Sequence, residues 1–200
     1  ILVAQGKLDA AGDAFQASLD IRERLAKDDP GNAGWQRDLS VSRNKIGAVL
    51  VVQGKLDAAR DAFQSSLDIA DRLTRDDPGN AGWQRDLSIS HTKIGDVLVA
   101  LGKLDAAREV FQASHDIFQR LACGDPRNVE WRRDVAISNA KLGKLFQAIE
   151  RPDDARTAFS TAREIMADLV ARFPGFAQWK QDLRNLEALL AELSDEGVRD

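Results

Sequence analysis

The chain holds a single cysteine and only two histidines. One cysteine, Cys123, excludes an internal disulfide framework and any multi-cysteine zinc site. With His91 and His115 it leaves too little material for a transition-metal centre, so no metal or other cofactor is expected. No Asp-x-Asp-x-Asp-Gly calcium loop and no glycine-rich phosphate loop occurs. Long apolar runs are missing too. The longest, residues 48–52 with Ile46 just upstream, falls far short of the roughly 18 residues needed to cross a bilayer. Positive charge is in deficit, 28 Lys and Arg against 32 Asp and Glu for a formal charge of −4. That balance makes the chain a poor candidate for general nucleic-acid binding. What remains is 44% hydrophobic and 30% charged, enough for a core under a water-soluble surface.

Four tryptophans, Trp35, Trp83, Trp131 and Trp179, stand 48 residues apart. Residues 30–77 and 78–125 agree at about 33 of 48 positions, and chance would give only a few. The unit from Pro126 has drifted but keeps Trp131, Asp134, Ile137, Lys141, Gly143, Ala155, Phe159 and Ile165. Such a period marks a solenoid or array. The alternation that strands would need is absent, so a propeller or β-helix is excluded.

Each unit reads as two helices of about 20 residues, roughly 30 Å long. In the first, Trp35, Leu39, Ser42, Ile46, Val49, Leu50 and Gln53 form one stripe at helical spacing. Asn32, Asn80 and Asn128 precede the stripe and suit an N-cap. Gly54 suits the C-terminal cap. The second helix buries Leu56, Ala59, Phe63, Ser66, Leu67, Ala70 and Leu73, and carries Asp57 where the helix dipole favours an anion. It ends before Asp77-Pro78.

These residues carry a resemblance. Ile46-Gly47, Leu50, Ala59, Phe63 and Ser66 resemble the tetratricopeptide repeat pattern. Ile94-Gly95, Leu98, Ala107, Phe111 and Ser114 repeat it, and so do Leu142-Gly143, Phe146, Ala155, Phe159 and Ala162. The family unit has 34 residues; this unit has 48. The extra length is two heptads, one per helix. A heptad is close to two helical turns, so each helix lengthens without turning its buried face away. The unit is similar to extended bacterial and kinesin-light-chain-type repeats. The resemblance implies an all-α fold, a right-handed α-solenoid of antiparallel helix pairs with about seven long helices. It implies a single repeat domain over residues 1–194: a partial repeat at 1–29, full repeats at 30–77, 78–125 and 126–173, and a leucine-rich capping helix at 174–194. Residues 1–5 match the tail of a first helix, so the chain is expected to be part of a longer protein. Residues 195–200 are expected to fray.

Catalytic material is sparse. His91 and His115 replace Arg43 and Leu67 of the preceding unit, as ordinary substitutions do. Cys123 sits by a helix C-terminus, where the dipole disfavours a thiolate. The acidic pairs Asp28-Asp29, Asp76-Asp77 and Asp153-Asp154 fall at turns and helix ends. No catalytic residue is assigned.

Charge, by contrast, divides by layer. The first helices at 32–53, 80–101 and 128–149 sum to about +2, 0 and +2; the second helices with their flanks at 55–77, 103–125 and 150–172 sum to about −2, −1 and −1. In the resembling family the first helices line a concave peptide groove. Carried over, this implies a groove more basic than the outer wall, suited to an acidic segment. The candidate groove residues are Arg37, Asn44, Lys45, Ala48 and Val51; then Arg85, Thr92, Lys93, Asp96 and Val99; then Arg133, Ala140, Lys141, Lys144 and Gln147. The arginines and the first lysine of each set recur in every unit and would form two ladders of cations. They serve ligand binding or pair internally with Asp38, Asp86 and Asp134; the sequence leaves both open. The tryptophans are read as wedges between repeats rather than ligand anchors. The expected partner is a protein or peptide, with neither nucleic acid nor membrane involved, in the cytoplasm. The alternatives are self-association through open terminal faces, or a regulatory segment of an enzyme whose catalytic domain lies upstream.

Overall fold

The computed structural model describes residues 8–196. The expected helix tail at residues 1–5 and the last four residues of the fraying segment lie outside them. Among the described residues there are eight helices and no strand: α1 Leu8–Asp28, α2 Ala33–Val52, α3 Leu56–Asp76, α4 Ala81–Ala100, α5 Leu104–Gly124, α6 Val129–Ala148, α7 Pro152–Arg172 and α8 Ala177–Glu196. That is one more than the about seven expected, and α8 continues two residues into the segment expected to fray. The chain divides into two compact units, Ile1–Lys103 with α1 to α4 and Leu104–Asp200 with α5 to α8.

Local chemistry sets the helix ends. Asn32 Oδ1 accepts from the Trp35 amide at 3.1 Å, Asn80 from Trp83 at 3.2 Å and Asn128 from Trp131 at 3.1 Å. Each satisfies an amide that the first turn leaves unpaired. At the other end the Gly54 amide donates to Val51 and the Lys55 amide to Leu50, a reversal that puts Gly54 at φ +73°. Left-handed backbone suits glycine. Gly102 does the same at +71°, but the third repeat places Glu150 there at +58°.

In the first unit, α1 packs on α2, α2 on α3 and α3 on α4. Short connections make consecutive helices antiparallel. Leu19 and Ala26 of α1 meet Leu39 of α2 in a buried cluster, with Trp35, Ile46 and Ile69 packed against it. Trp35 thus sits at the joint between a second helix and the next first helix. In the second unit α5 packs on α6, and α6, α7 and α8 close around Ala136, Ala155, Phe159, Ala162, Met166, Leu169, Trp179, Leu186 and Leu193. Trp179 is buried, stacked on Phe176 at 4.2 Å and edge-on to Phe173 at 6.1 Å.

Within a repeat the helices approach closely because one carries glycine where the other carries a ring. A Cβ on Gly47 would stand 2.5 Å from the Phe63 ring, and one on Gly143 would stand 2.6 Å from that of Phe159. Both rings are fully buried. The Gly and Phe of the repeat pattern are therefore two halves of one contact.

Candidate binding grooves

In the first unit the first helices α2 and α4 lie side by side. Between them runs a groove of about 390 Å³ lined by Val41, Asn44, Lys45 and Ala48 of α2 and by Asp86, Ile89 and Lys93 of α4. A neighbouring hollow of about 250 Å³ adds Val51, Leu56, Phe63, Asp96, Val97 and Ala100. Four predicted residues, Asn44, Lys45, Ala48 and Lys93, meet in the first groove, and Ala48, Val51, Lys93 and Asp96 in the second. Beneath them lies a chain of hydroxyls. Ser40 Oγ and Ser66 Oγ are 2.8 Å apart, Ser66 Oγ and Ser90 Oγ 3.1 Å, and Asn44 Nδ2 donates to Ser90 Oγ at 3.2 Å. The three serines are buried and line neither hollow; they satisfy one another beneath the apolar lining of Val41, Ala48 and Ile89.

The second unit repeats the arrangement with α6 and α8. Arg133, Ile137, Ala140, Lys141 and Lys144 of α6 face Asp182, Asn185, Leu186 and Leu189 of α8 across a groove of about 220 Å³, with Ala136 and Met166 below. Arg133, Ala140, Lys141 and Lys144 were expected there.

The arginine ladder is engaged by the acidic residue 49 positions on. Arg37 Nε donates to Asp86 Oδ2 at 2.5 Å, and Arg133 Nη2 to Asp182 Oδ2 at 3.4 Å. The bond to Asp86 and its charge raise the Arg37 pKa above the ordinary arginine value. Each guanidinium thus joins consecutive first helices. Lys45, Lys93 and Lys144 form no ion pair among the described residues, so they present unneutralised charge beside the grooves. Val51 and Val99 are more than a third exposed. Arg85, Thr92 and Gln147 are half-buried, and these three and Val99 line none of the three hollows. Thr92 Oγ1 donates to the Ser88 carbonyl at 3.1 Å.

Sequence reasoning missed Val41, Ile89 and Ile137, which floor the grooves. They lie four residues after Arg37, Arg85 and Arg133, so the same helical wheel could have found them. It also missed the whole α8 wall, because Asp182, Asn185 and Leu189 had been assigned to a capping helix.

The candidate catalytic groups do not gather. His115 Nδ1 lies 3.0 Å from Ser138 Oγ, and burial pushes its pKa down. Burial also lowers the pKa of His91, whose Nδ1 has no partner. Cys123 is exposed. Among the described residues no cluster of His, Cys, Asp or Glu could hold a metal ion, and no helix is long and apolar enough to cross a membrane.

Helix pairs of this kind, each closed by a glycine under an aromatic ring, define the tetratricopeptide-like repeat fold, and the solved structures that resemble the chain have it. BtubC (BKLC) from P. vanneervenii superposes with a TM-score of 0.52 at 16% identity, covering 94% of this chain and 90% of that one. A kinesin-light-chain-like protein of Podosopora anserina with nearly identical TPR-like repeats gives 0.55 at 13% identity, covering 100% and 97%. The yeast histone chaperone Hif1, described as a scaffold protein recruiting protein complexes to core histones, gives 0.58 at 7% identity, covering 96% and 98%. No family model and no curated protein sequence matches the chain.

Proposed function

We propose that the chain is a non-enzymatic scaffold that binds protein segments in the grooves between its first helices, and that it prefers acidic ones. One observation carries this reading. In both units a groove lies between consecutive first helices and is edged by cations, Lys45 and Lys93 in one and Lys141 and Lys144 in the other. A groove with apolar walls and charged edges suits an extended or helical segment. The charge at its edge would act on encounter and specificity more than on raw affinity. The scaffold role of Hif1 agrees with the reading, although shared fold alone decides no function. A reducing, cytoplasmic setting suits the exposed free thiol of Cys123, and a place in a larger signalling protein suits a recognition module.

The test is binding of labelled acidic and neutral peptide pools to the wild type and to Lys45→Glu/Lys93→Glu at two salt concentrations. The reading expects the acidic pool to bind more tightly, to weaken with salt and to bind less well to the variant, which keeps only the α6–α8 groove basic. Equal binding of both pools, insensitive to salt, would sink it.

A second reading rests on α1. Ile21 is 51% exposed and Leu25 36%, whereas their counterparts Ile117 and Leu121 are 6% exposed. Such an apolar strip favours self-association. Light scattering over a concentration series separates the two, because a constant monomer mass excludes assembly through α1.

A further inference from the structure

The two grooves share their outline and differ in the residues that line them. We propose, building on the scaffold reading, that the α6–α8 groove is the anchor point for an apolar side chain of a bound peptide that carries a neighbouring Asp or Glu. The α2–α4 groove would lack that preference.

The repeat makes the comparison position by position. Ser40, Asn44, Ser66 and Ser90, which form the hydroxyl chain under the α2–α4 groove, correspond to Ala136, Ala140, Ala162 and Leu186. All four polar residues are thus replaced by apolar ones; Ala136, Ala140 and Leu186 line the α6–α8 groove, whereas of their polar counterparts only Asn44 lines the α2–α4 groove. Ala70 corresponds to Met166, which reaches the base of the groove. On the far wall Lys93 corresponds to Leu189. Leu186 and Met166 are buried and Leu189 is half-buried at the mouth. The cations stay on the near wall: Lys141 keeps its place, and Lys144 is added where α2 has Ala48.

An apolar residue entering this groove would leave water against Met166, Leu186, Leu189 and Ile137. In the α2–α4 groove the same residue would lie beside Asn44, Lys45 and Lys93. The available volume, about 220 Å³, fits one side chain rather than a whole helix. The lysines on one side fix the occupant's charge as negative. An apolar wall and a basic edge together select a segment such as a Leu or Phe next to a Glu or Asp.

The test uses the full chain and three labelled peptides of equal length: acidic with a central Leu, acidic with a central Ser, and uncharged with a central Leu. Anisotropy titration should give about tenfold tighter binding of the acidic Leu peptide than of the acidic Ser peptide, roughly 1.4 kcal/mol. Leu189→Lys restores the residue that the other three repeats carry, so the helix should form as they do; thermal melting checks this. That variant should bring the Leu-to-Ser ratio close to one while acidic peptides still bind. Ala140→Asn, which restores the residue of α2, should reduce the ratio in the same direction. A wild-type ratio near one, with salt-sensitive acidic binding intact, overturns the anchor but leaves the scaffold reading standing. A ratio that survives Leu189→Lys and disappears in Lys45→Glu/Lys93→Glu places the anchor in the other groove and also overturns it. Displacement of the peptide by decanoate at lower concentration than by unlabelled peptide would make the occupant a free amphiphile, against the proposal. A concentration-dependent mass that Leu189→Lys abolishes would make it a second copy, with the same consequence. If no acidic peptide binds at all, the scaffold reading itself has failed.

Discussion

Substituting Gly143 by Ala separates local helix preference from tertiary packing. Gly143 lies inside α6, where alanine is intrinsically better by about 1 kcal/mol. The added methyl, however, would stand 2.6 Å from two atoms of the Phe159 ring. Carbon atoms pack at about 3.5–4.0 Å, so ring or helix must retreat by roughly 1 Å. Phe159 is fully buried, held among Ala155, Ala162 and Met166, and cannot swing into solvent. Overpacking of this kind costs about 1–3 kcal/mol, and forcing two helices apart along a shared face belongs at the upper end. The net expectation is a loss of about 1–2 kcal/mol. For a chain of this size each kcal/mol lowers Tm by about 2–4 °C. Urea unfolding followed by circular dichroism measures it. A double-mutant cycle with Phe159→Leu assigns the cause, since a smaller side chain should recover part of the loss and give a favourable coupling of at least about 0.5 kcal/mol. The reasoning fails if Gly143→Ala is as stable as the parent, or if the cycle shows no coupling.

Three further outcomes follow from single contacts. Glu150→Gly should raise stability by about 0.5–1 kcal/mol, because Glu150 holds a left-handed φ of +58° where the other repeats use Gly54 and Gly102; chemical denaturation reads the gain. Ser66→Ala should cost under about 1 kcal/mol despite complete burial, because Ser40 Oγ still donates to the Ser66 carbonyl at 3.2 Å and Ser90 Oγ to that of Asp86 at 3.1 Å; a loss above 2 kcal/mol would make the hydroxyl chain more cooperative than its geometry implies. Acid should destabilise the fold through its histidines: burial lowers the pKa of His91 and His115 in the folded state, against the opposing charges of Asp71 and Asp116. The unfolded chain therefore binds protons first, and stability falls as pH drops below the ordinary value near 6.5. Melting temperatures from pH 8 to pH 5 should show a shallower decline in His115→Gln.

The repeat was legible because its signals are local and recur. An asparagine three residues before Trp35, Trp83 and Trp131 became a cap, and Gly54 became a left-handed reversal. Gly47 and Phe63 could be named as pattern residues, but their meeting required the pairing of two helices that no single-helix wheel contains. The grooves were half legible for the same reason. Wheel positions on α2 predicted Asn44, Lys45 and Ala48, yet the opposite wall comes from a helix 48 residues away. The fate of the arginine ladder was likewise hidden. Arg37 and Asp86 are 49 residues apart, and only stacking brings them to 2.5 Å. Val41 and Ile89 went unnoticed because an apolar residue beside a cation reads as ordinary alternation until a groove opens over it.

Departures from the repeat therefore carry more information than its constant residues, and α8 offers the sharpest case. On α2, Gln36 and Ser40 face a neighbouring helix: Gln36 accepts from Arg72 at 2.6 Å, and Ser40 meets Ser66. The α8 counterparts of Gln36, Ser40, Arg43 and Gly47 are Lys180, Arg184, Glu187 and Ala191, all exposed. A charged face of that kind favours contact with water over the packing that Gln36 and Ser40 make. Among the described residues no ring comes against Ala191, which is exposed, so alanine can supply its helix preference there. The same repeat position should thus respond oppositely in the two helices. Gly143→Ala destabilises α6 by crowding Phe159, whereas Ala191→Gly should destabilise α8 by about 0.5–1 kcal/mol through backbone entropy alone. Hydrogen exchange of the α8 amides measures the second effect locally. If Ala191→Gly left α8 unchanged or made it more protected, a ring must close over that position, and the charged face would have to be reread as a buried one.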